Sequence, residues 1–285
     1  MSNLTKLDSV TFDELLEEQD PFEMEEPVLD LTGVGFITPA GLVQLAACCY
    51  ALSETGRRPC MTIDDEGVRT YLDRAGFLNV IREVADIEPP RVHIFRHYRG
   101  SNPMLIEVTR IETGKALPSL LDQIILVLRH RLRYAKHDAF DIATVISEVS
   151  QNTFDHNKAT CGFLAMQVYG RAPQGFLEIG VADYGQGLAA TLRRNAKNGH
   201  IASDLEAIKF ATQLGTSEHD DPTRGTGLYH LLEISYKHRG SVQIRSGGAK
   251  VRFRMDRRMG WEFDVSEMPG VQIALVLSEK NVVDN

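Results

Sequence analysis

No charged residue occurs between Leu31 and Ser53, a run of 23 residues. A run of that length is long enough to span a bilayer, so its fate decides which class of fold the chain can adopt. Thr32, Gly33, Gly35, Thr38, Pro39, Gly41 and Gln44 interrupt it, which argues against a membrane span. Before Pro39 the spacing is that of a strand. Pro39 itself suits the first turn of a helix, where its missing N–H is no loss. Leu42, Leu45, Ala46, Cys49 and Tyr50 follow at i, i+3, i+4, i+7 and i+8, one apolar helix face. Gly56 is placed to end that helix.

The flanking sequence extends the pattern. Residues 27–31 and 60–63 read as short buried strands. Val68, Tyr71, Leu72 and Ala75 line a second helix, and Gly76 stops it. The order β-α-β-α with short connections predicts a small α/β domain with a partly parallel sheet. The chain has 285 residues, which at about 150 per domain predicts roughly two domains. Hydrophobic residues make up 43% and charged residues 25%, a balance that excludes collagen-like, coiled-coil and wholly disordered chains. The net charge of −8 disfavours a nucleic-acid partner. Cys48, Cys49, Cys60 and Cys161 contain no CxxC pair, so reduced thiols in a cytoplasmic protein are expected rather than zinc or a disulfide framework. Residues 1–20 have neither a basic start nor an apolar core and do not read as a signal peptide. Residues 91–114, with Arg91, His93, Arg96, His97 and Arg99, read as a basic, solvated connector.

From Leu117 the periodicity lengthens. Leu120, Leu121, Ile124, Ile125 and Leu128 predict an amphipathic helix that ends in the basic turn 129–133. A second helix is expected from Asp138 to His156, with Ile142, Val145, Ile146 and Val149 as its buried stripe. Glu148, Asn152 and His156 repeat every four residues, so their side chains stack in one row. Strands are predicted at 163–169 and 176–182, then the turn Asp183-Tyr184-Gly185-Gln186-Gly187. Arg224-Gly225-Thr226-Gly227-Leu228 opens a helix to His238, and strands near 241–245, 251–255 and 271–277 complete the sheet. Gly185-x-Gly187-x-x-Ala190 imitates a dinucleotide fingerprint, with Asp204 and Glu206 downstream. The context fails, because Ser203 to Glu206 reads as a helix N-cap with a capping box and not as the end of a strand. No Gly-x-x-x-x-Gly-Lys-Ser/Thr sequence is present.

Two resemblances follow from these residues. Leu29 to Val34 and Phe36 to Leu42 resemble the STAS (anti-sigma-factor antagonist) fold, in which a strand runs through a Ser-containing turn into a helix. In that family a serine of the turn is phosphorylated. Here Ala40 stands at that place, so the phosphoswitch does not carry over. Glu148-x-x-x-Asn152-x-x-x-His156, Asp183-x-Gly185-x-Gly187 and Gly225-x-Gly227-Leu228, in that order, resemble the GHKL (Bergerat) ATP-binding superfamily. The helix sequence Glu148 to His156 is most similar to its anti-sigma-factor serine/threonine kinases. The fold class implied is α/β: a STAS-like α/β domain over 1–98, a connector over 99–114, and an α+β GHKL sandwich over 115–285.

The resemblance implies ATP and Mg²⁺ as cofactors. Asp183 would accept a hydrogen bond from the adenine amine, and Gly185 and Gly187 would let the backbone approach the nucleotide. Gly225 and Gly227 would open a helix whose free N–H groups hold phosphate oxygens, with Leu228 beside them. Asn152 would offer an oxygen to Mg²⁺, and Glu148 would be the catalytic base. Arg224 would neutralise phosphate charge, and His156 would pack or hydrogen-bond at the helix end. Residues 188–224 would form a mobile lid carrying Thr216 and Ser217 to the phosphates. Val271 follows Gly270 where the family often carries a threonine, a departure that weakens the case for a polar purine contact from that strand. The implied function is a bacterial Mg-ATP-dependent ATPase or serine/threonine protein kinase of regulatory type, or an ATP-gated interaction switch with little turnover. A protein partner of the STAS or sigma-regulator type is implied; a membrane is not, and a homodimer stays open.

Overall fold

A computed structural model of the chain describes residues 4–90, 105–155, 161–170, 174–213, 226–254 and 259–279. The protein is mixed α/β, and two chain segments share it. The first begins with β1 (Lys6–Leu7), α1 (Thr11–Gln19), β2 (Val28–Asp30), β3 (Phe36–Ile37) and α2 (Pro39–Glu54). It continues with β4 (Cys60–Thr62), α3 (Glu66–Arg74), α4 (Phe77–Ile81) and β5 (Asp86–Glu88). Strands β2, β4 and β5 form a parallel three-stranded sheet, and β1 pairs with β3, also in parallel. The expected strand–helix–strand–helix order is present.

The second segment comprises β6 (Leu105–Ile111), α5 (Leu117–His130), α6 (Lys136–Asp155), β7 (Gly162–Tyr169) and β8 (Phe176–Asp183). Then come α7 (Gly187–Arg193), α8 (Asp204–Ala211), α9 (Gly227–Lys237), β9 (Ser241–Arg254) and β10 (Met259–Ser278). Its sheet is antiparallel, in the order β6-β7-β8-β10-β9. The stripe Ile142, Val145, Ile146 and Val149 of α6 is buried against Leu164, Met166, Ile179 and Val181 of the sheet.

The other face of that sheet is covered by α2. Pro39 through Leu52 are all buried. The helix starts on its N-cap, Thr38, whose side chain accepts from the Gly41 N–H at 3.3 Å, and Pro39 occupies the first turn. One flank packs among Leu29, Leu31 and Met61 of the first segment, and the other meets Phe163, Ala165 and Ala182 of the second. Near its C-terminal end the Tyr50 ring lies 5.0 Å from Phe163 and 5.5 Å from Tyr184. A Cβ on Gly180 of β8 would stand 2.8 Å from the Ala40 Cα and the Pro39 carbonyl oxygen. Only glycine admits the helix this close. Among the described residues, no helix is long and apolar enough to cross a membrane.

Three expectations need correction. The stretch read as connector holds β6, the edge strand of the large sheet. A bulge between Ile106 and Thr109 puts Ile106 and Val108 on opposite faces, so the alternation that marks a strand is broken. The breaks expected after Arg245 and before Val271 are also absent. β9 runs through Gly247 and Gly248, and β10 starts at Met259, the two joined by register shifts around Met268. Finally, the described part of the expected lid, residues 188–213, is largely helical. Ala189, Leu192, Ile201, Ala207, Ile208 and Ala211 of that span are buried core residues, and Ser203 caps α8 as expected, accepting from the Glu206 N–H at 3.1 Å.

The close contact at Gly180 gives a first prediction. Gly180→Val should lower the urea midpoint, with a loss of about 2 kcal/mol or more, the usual size for a side chain forced into a packed interior. Gly114→Ala, where a Cβ would meet nothing within 4 Å, should leave the midpoint unchanged.

Candidate functional site

Period-two alternation along β8 sends Leu177, Ile179 and Val181 to the α5–α6 side and Glu178, Gly180 and Ala182 to the α2 side. Asp183 ends the strand on the α6 side and is 5% exposed. Its Oδ1 accepts from the Gly185 N–H at 2.8 Å and from the Val271 N–H at 3.3 Å. Both of these bonds fall on one oxygen of the carboxylate. Burial pushes the carboxyl up from 3.8 to about 7, with the two N–H groups pulling the other way. Ionising Asp183 in the folded chain therefore costs about 4 kcal/mol more than in water.

The predicted row on α6 lies nearby. Gly162 pairs opposite Asp183 across β7 and β8, and a Cβ on Gly162 would collide with Thr153 of α6. The C-terminal end of α6 thus lies over the strand neighbour of Asp183. Asn152 precedes Thr153, and Glu148 lies one turn earlier. A Cβ on Gly227, at the start of α9, would lie 3.4 Å from the Glu148 Cβ and 3.5 Å from the Asn152 carboxamide nitrogen. Glu148, Asn152 and Gly227 therefore meet between α6 and α9. Leu228 turns into the core between helices and sheet. Gly187 opens α7 with a positive φ of 78°, and the Ser246 hydroxyl of β9 accepts from the next N–H, that of Leu188, at 2.9 Å. Thr216, Ser217, Arg224, Gly225 and His156 lie outside the described residues. Among the described residues, no group of three or more His, Cys, Asp or Glu side chains gathers to hold a metal.

Several residues at this place escape a reading of motifs. His230 of α9 puts Nδ1 3.5 Å from the Glu148 Oε2. Its position three after Gly227 is the only signal for it in the sequence. Gln272 of β10 donates to the Asp183 carbonyl at 3.1 Å and to the Pro269 carbonyl at 2.9 Å. Asp204, the acid of the imitated dinucleotide fingerprint, accepts instead from the Gly248 N–H at 3.1 Å and ties α8 to β9. What the arrangement offers chemically is a buried acceptor at one end and a carboxylate, a carboxamide and a helix start at the other.

No protein-family model matches the chain, and no curated protein matches it.

The raised Asp183 makes a stability prediction whose sign is fixed. The folded state holds the proton more tightly than the unfolded state, so the contribution is full below about pH 4 and is lost as pH rises through about 7. Asp183→Asn keeps an acceptor for both N–H groups and cannot ionise. Its unfolding free energy should exceed that of the wild type by about 2 kcal/mol or more at pH 8.5, and the gap should close by pH 4. Urea titrations across that range measure it; a pH-independent gap would show that Asp183 ionises freely.

Proposed function

We propose that the chain is a GHKL-type adenine-nucleotide-binding regulatory protein, a Mg-ATP-dependent ATPase or serine/threonine kinase, with a STAS-like N-terminal domain. The observation that carries this reading is the buried Asp183 carboxylate at the end of β8, on the sheet face where Glu148 and Asn152 of α6 meet Gly227 of α9. A buried carboxylate with no cationic partner among the described residues costs stability, and such groups cluster at binding sites. In this reading Asp183 accepts from the adenine amine, a contact that guanine, with a carbonyl there, cannot make. Glu148, 40% exposed on its side chain, positions or deprotonates the attacking water or hydroxyl, and His230 holds one of its oxygens. Asn152 fits a magnesium ion as a neutral oxygen ligand, a role that leaves most of the coordination to phosphate and water. Bound Mg-ATP would supply the transferable phosphoryl group and the charge that offsets its oxygens. The protein's own part is to orient the base, hold the nucleophile and keep water from the adenine end.

A second reading, an ATP-gated interaction switch, has one observation in its favour. Ala40 stands at the STAS phosphorylation position and is sealed against β8. Its N–H donates to Glu178 Oε1 at 3.2 Å, and Thr38 is 2% exposed. No internal acceptor for a phosphoryl group is thus available in that turn, and mass spectrometry after incubation with ATP should find none on residues 36–42.

The decisive experiment combines binding and turnover. ATP and ADP should raise the melting temperature by mass action, and GTP should not. Affinity for ADP should fall as pH drops below about 7, because a protonated Asp183 no longer accepts. Asp183→Asn should weaken every adenine nucleotide, with or without magnesium. Asn152→Ala should weaken only magnesium-dependent binding. Glu148→Ala should keep ADP affinity within a few fold and lower turnover by roughly 10²–10⁴, the usual general-base contribution. Unchanged turnover in Glu148→Ala would transfer the case to the switch reading, and equal stabilisation by GTP would end both.

A further inference from the structure

A buried ionic cluster joins the first segment to the large sheet. Arg245 of β9 has a side chain with no exposure. Its Nε donates to Asp13 Oδ1 of α1 at 2.9 Å, and its Nη2 donates to the Ser266 carbonyl. Lys250 of β9 bonds the other Asp13 oxygen. One helical carboxylate thus serves two buried cations, and removing it would leave both charges stranded in the interior. The third arm of Arg245 leads elsewhere. Its Nη1 donates to Gln272 Oε1 at 3.2 Å, and the amide nitrogen of the same Gln272 donates to the Asp183 carbonyl at 3.1 Å.

The chain of bonds Asp13–Arg245–Gln272–Asp183 therefore runs from α1, across two strands, to the backbone carbonyl of Asp183. Each member is 8% exposed or less. A guanidinium is planar and rigid, so its three arms cannot be set independently. Shifting Asp13 reorients the fork, and the fork sets the Gln272 carboxamide. Gln272 has one oxygen and one nitrogen to offer. With the oxygen held by Arg245, the nitrogen is committed to the Asp183 and Pro269 carbonyls. That fixes the backbone on both sides of the bonds to Asp183 Oδ1, because Val271, whose N–H donates to it, follows Pro269 by two residues.

We infer that Arg245 and Gln272 are positioning residues for Asp183, and that through them adenine binding requires α1 to be docked on the sheet. This rests on the adenine-nucleotide reading of the site. The coupling is reciprocal by linkage: whatever docked α1 adds to nucleotide affinity, bound nucleotide returns to the docking of α1. A protein that displaces α1 would release nucleotide, and nucleotide would oppose its displacement.

The test uses the full chain. Gln272→Met removes both polar atoms at similar volume, and Asp13→Asn removes the charge without changing shape. Neither is among the residues that the nucleotide reading assigns to the phosphates. Affinities for ADP and GDP are measured where each variant is fully folded by circular dichroism. Each substitution should weaken ADP by about tenfold, within the usual range of coupling between sites, and narrow the discrimination between ADP and GDP. A substitution that only loosens the fold elsewhere, such as Ile124→Val in the core under α5, should alter neither quantity in the folded protein. Should Asp13→Asn fail to fold, amide exchange in the wild type decides: saturating ADP should slow exchange across Thr11–Gln19. Wild-type ADP affinity in folded Gln272→Met, or exchange in α1 that ADP leaves unchanged, would overturn the coupling alone. A wild type that binds no adenine nucleotide would overturn the nucleotide reading, and this inference with it.

Discussion

Everything in this molecule depends on a helix that has no face for water. α2 is buried from Pro39 to Leu52, and an apolar helix of that kind must be covered all round. The three-stranded sheet β2-β4-β5 belongs to the segment on one flank, and the antiparallel sheet covers the other. The consequence is mutual. An antiparallel sheet can leave one face to solvent, but here Phe163, Ala165 and Ala182 are apolar on the outer face and need α2 as much as α2 needs them. Gly180 is the mark of that arrangement on β8, since any side chain there would hold the helix off.

The same sheet does different work on its two faces. Outward, it fastens the first segment through apolar packing and the Asp13–Arg245–Lys250 cluster. Inward, it carries Asp183 beneath the end of α6. Glu178 and Asp183 are both buried acids of β8, and burial raises both. Their surroundings separate their roles. Glu178 accepts from the Ala40 N–H and the Thr38 hydroxyl at the start of α2 and serves as a helix cap. Asp183 accepts from the Gly185 and Val271 N–H groups at the end of the strand, and its burial makes ionisation costly.

How much of this was legible in the sequence differs by element. The α6 stripe was readable because a helix of 20 residues repeats its period several times. The Ser203 cap was readable because a capping box is a local signature. β6 was not, because its bulge destroys the alternation on which strand recognition rests. The continuous β9 and β10 were not, because Gly247-Gly248 and Pro269-Gly270 look like turns until a neighbouring strand supplies the hydrogen bonds that carry the chain through. At the site, the spacing of Glu148 and Asn152 and the strand end at Asp183 were visible. The neighbours His230, Ser246 and Gln272 were not, since each arrives from an element distant in sequence.

What the sequence by itself determined was local: which stretches are helical, where they are capped, and that residues 31–53 must be hidden from water or enter a membrane. Those properties depend on neighbours within a few residues along the chain. Only the tertiary structure decided what hides that stretch, which carboxylates of β8 are buried, and where Asp13 meets Arg245, residues more than two hundred positions apart. Burial and the desolvation it brings are properties of the assembled surfaces and not of the residue, so neither the raised Asp183 nor the relay leading to it has any signature along the chain.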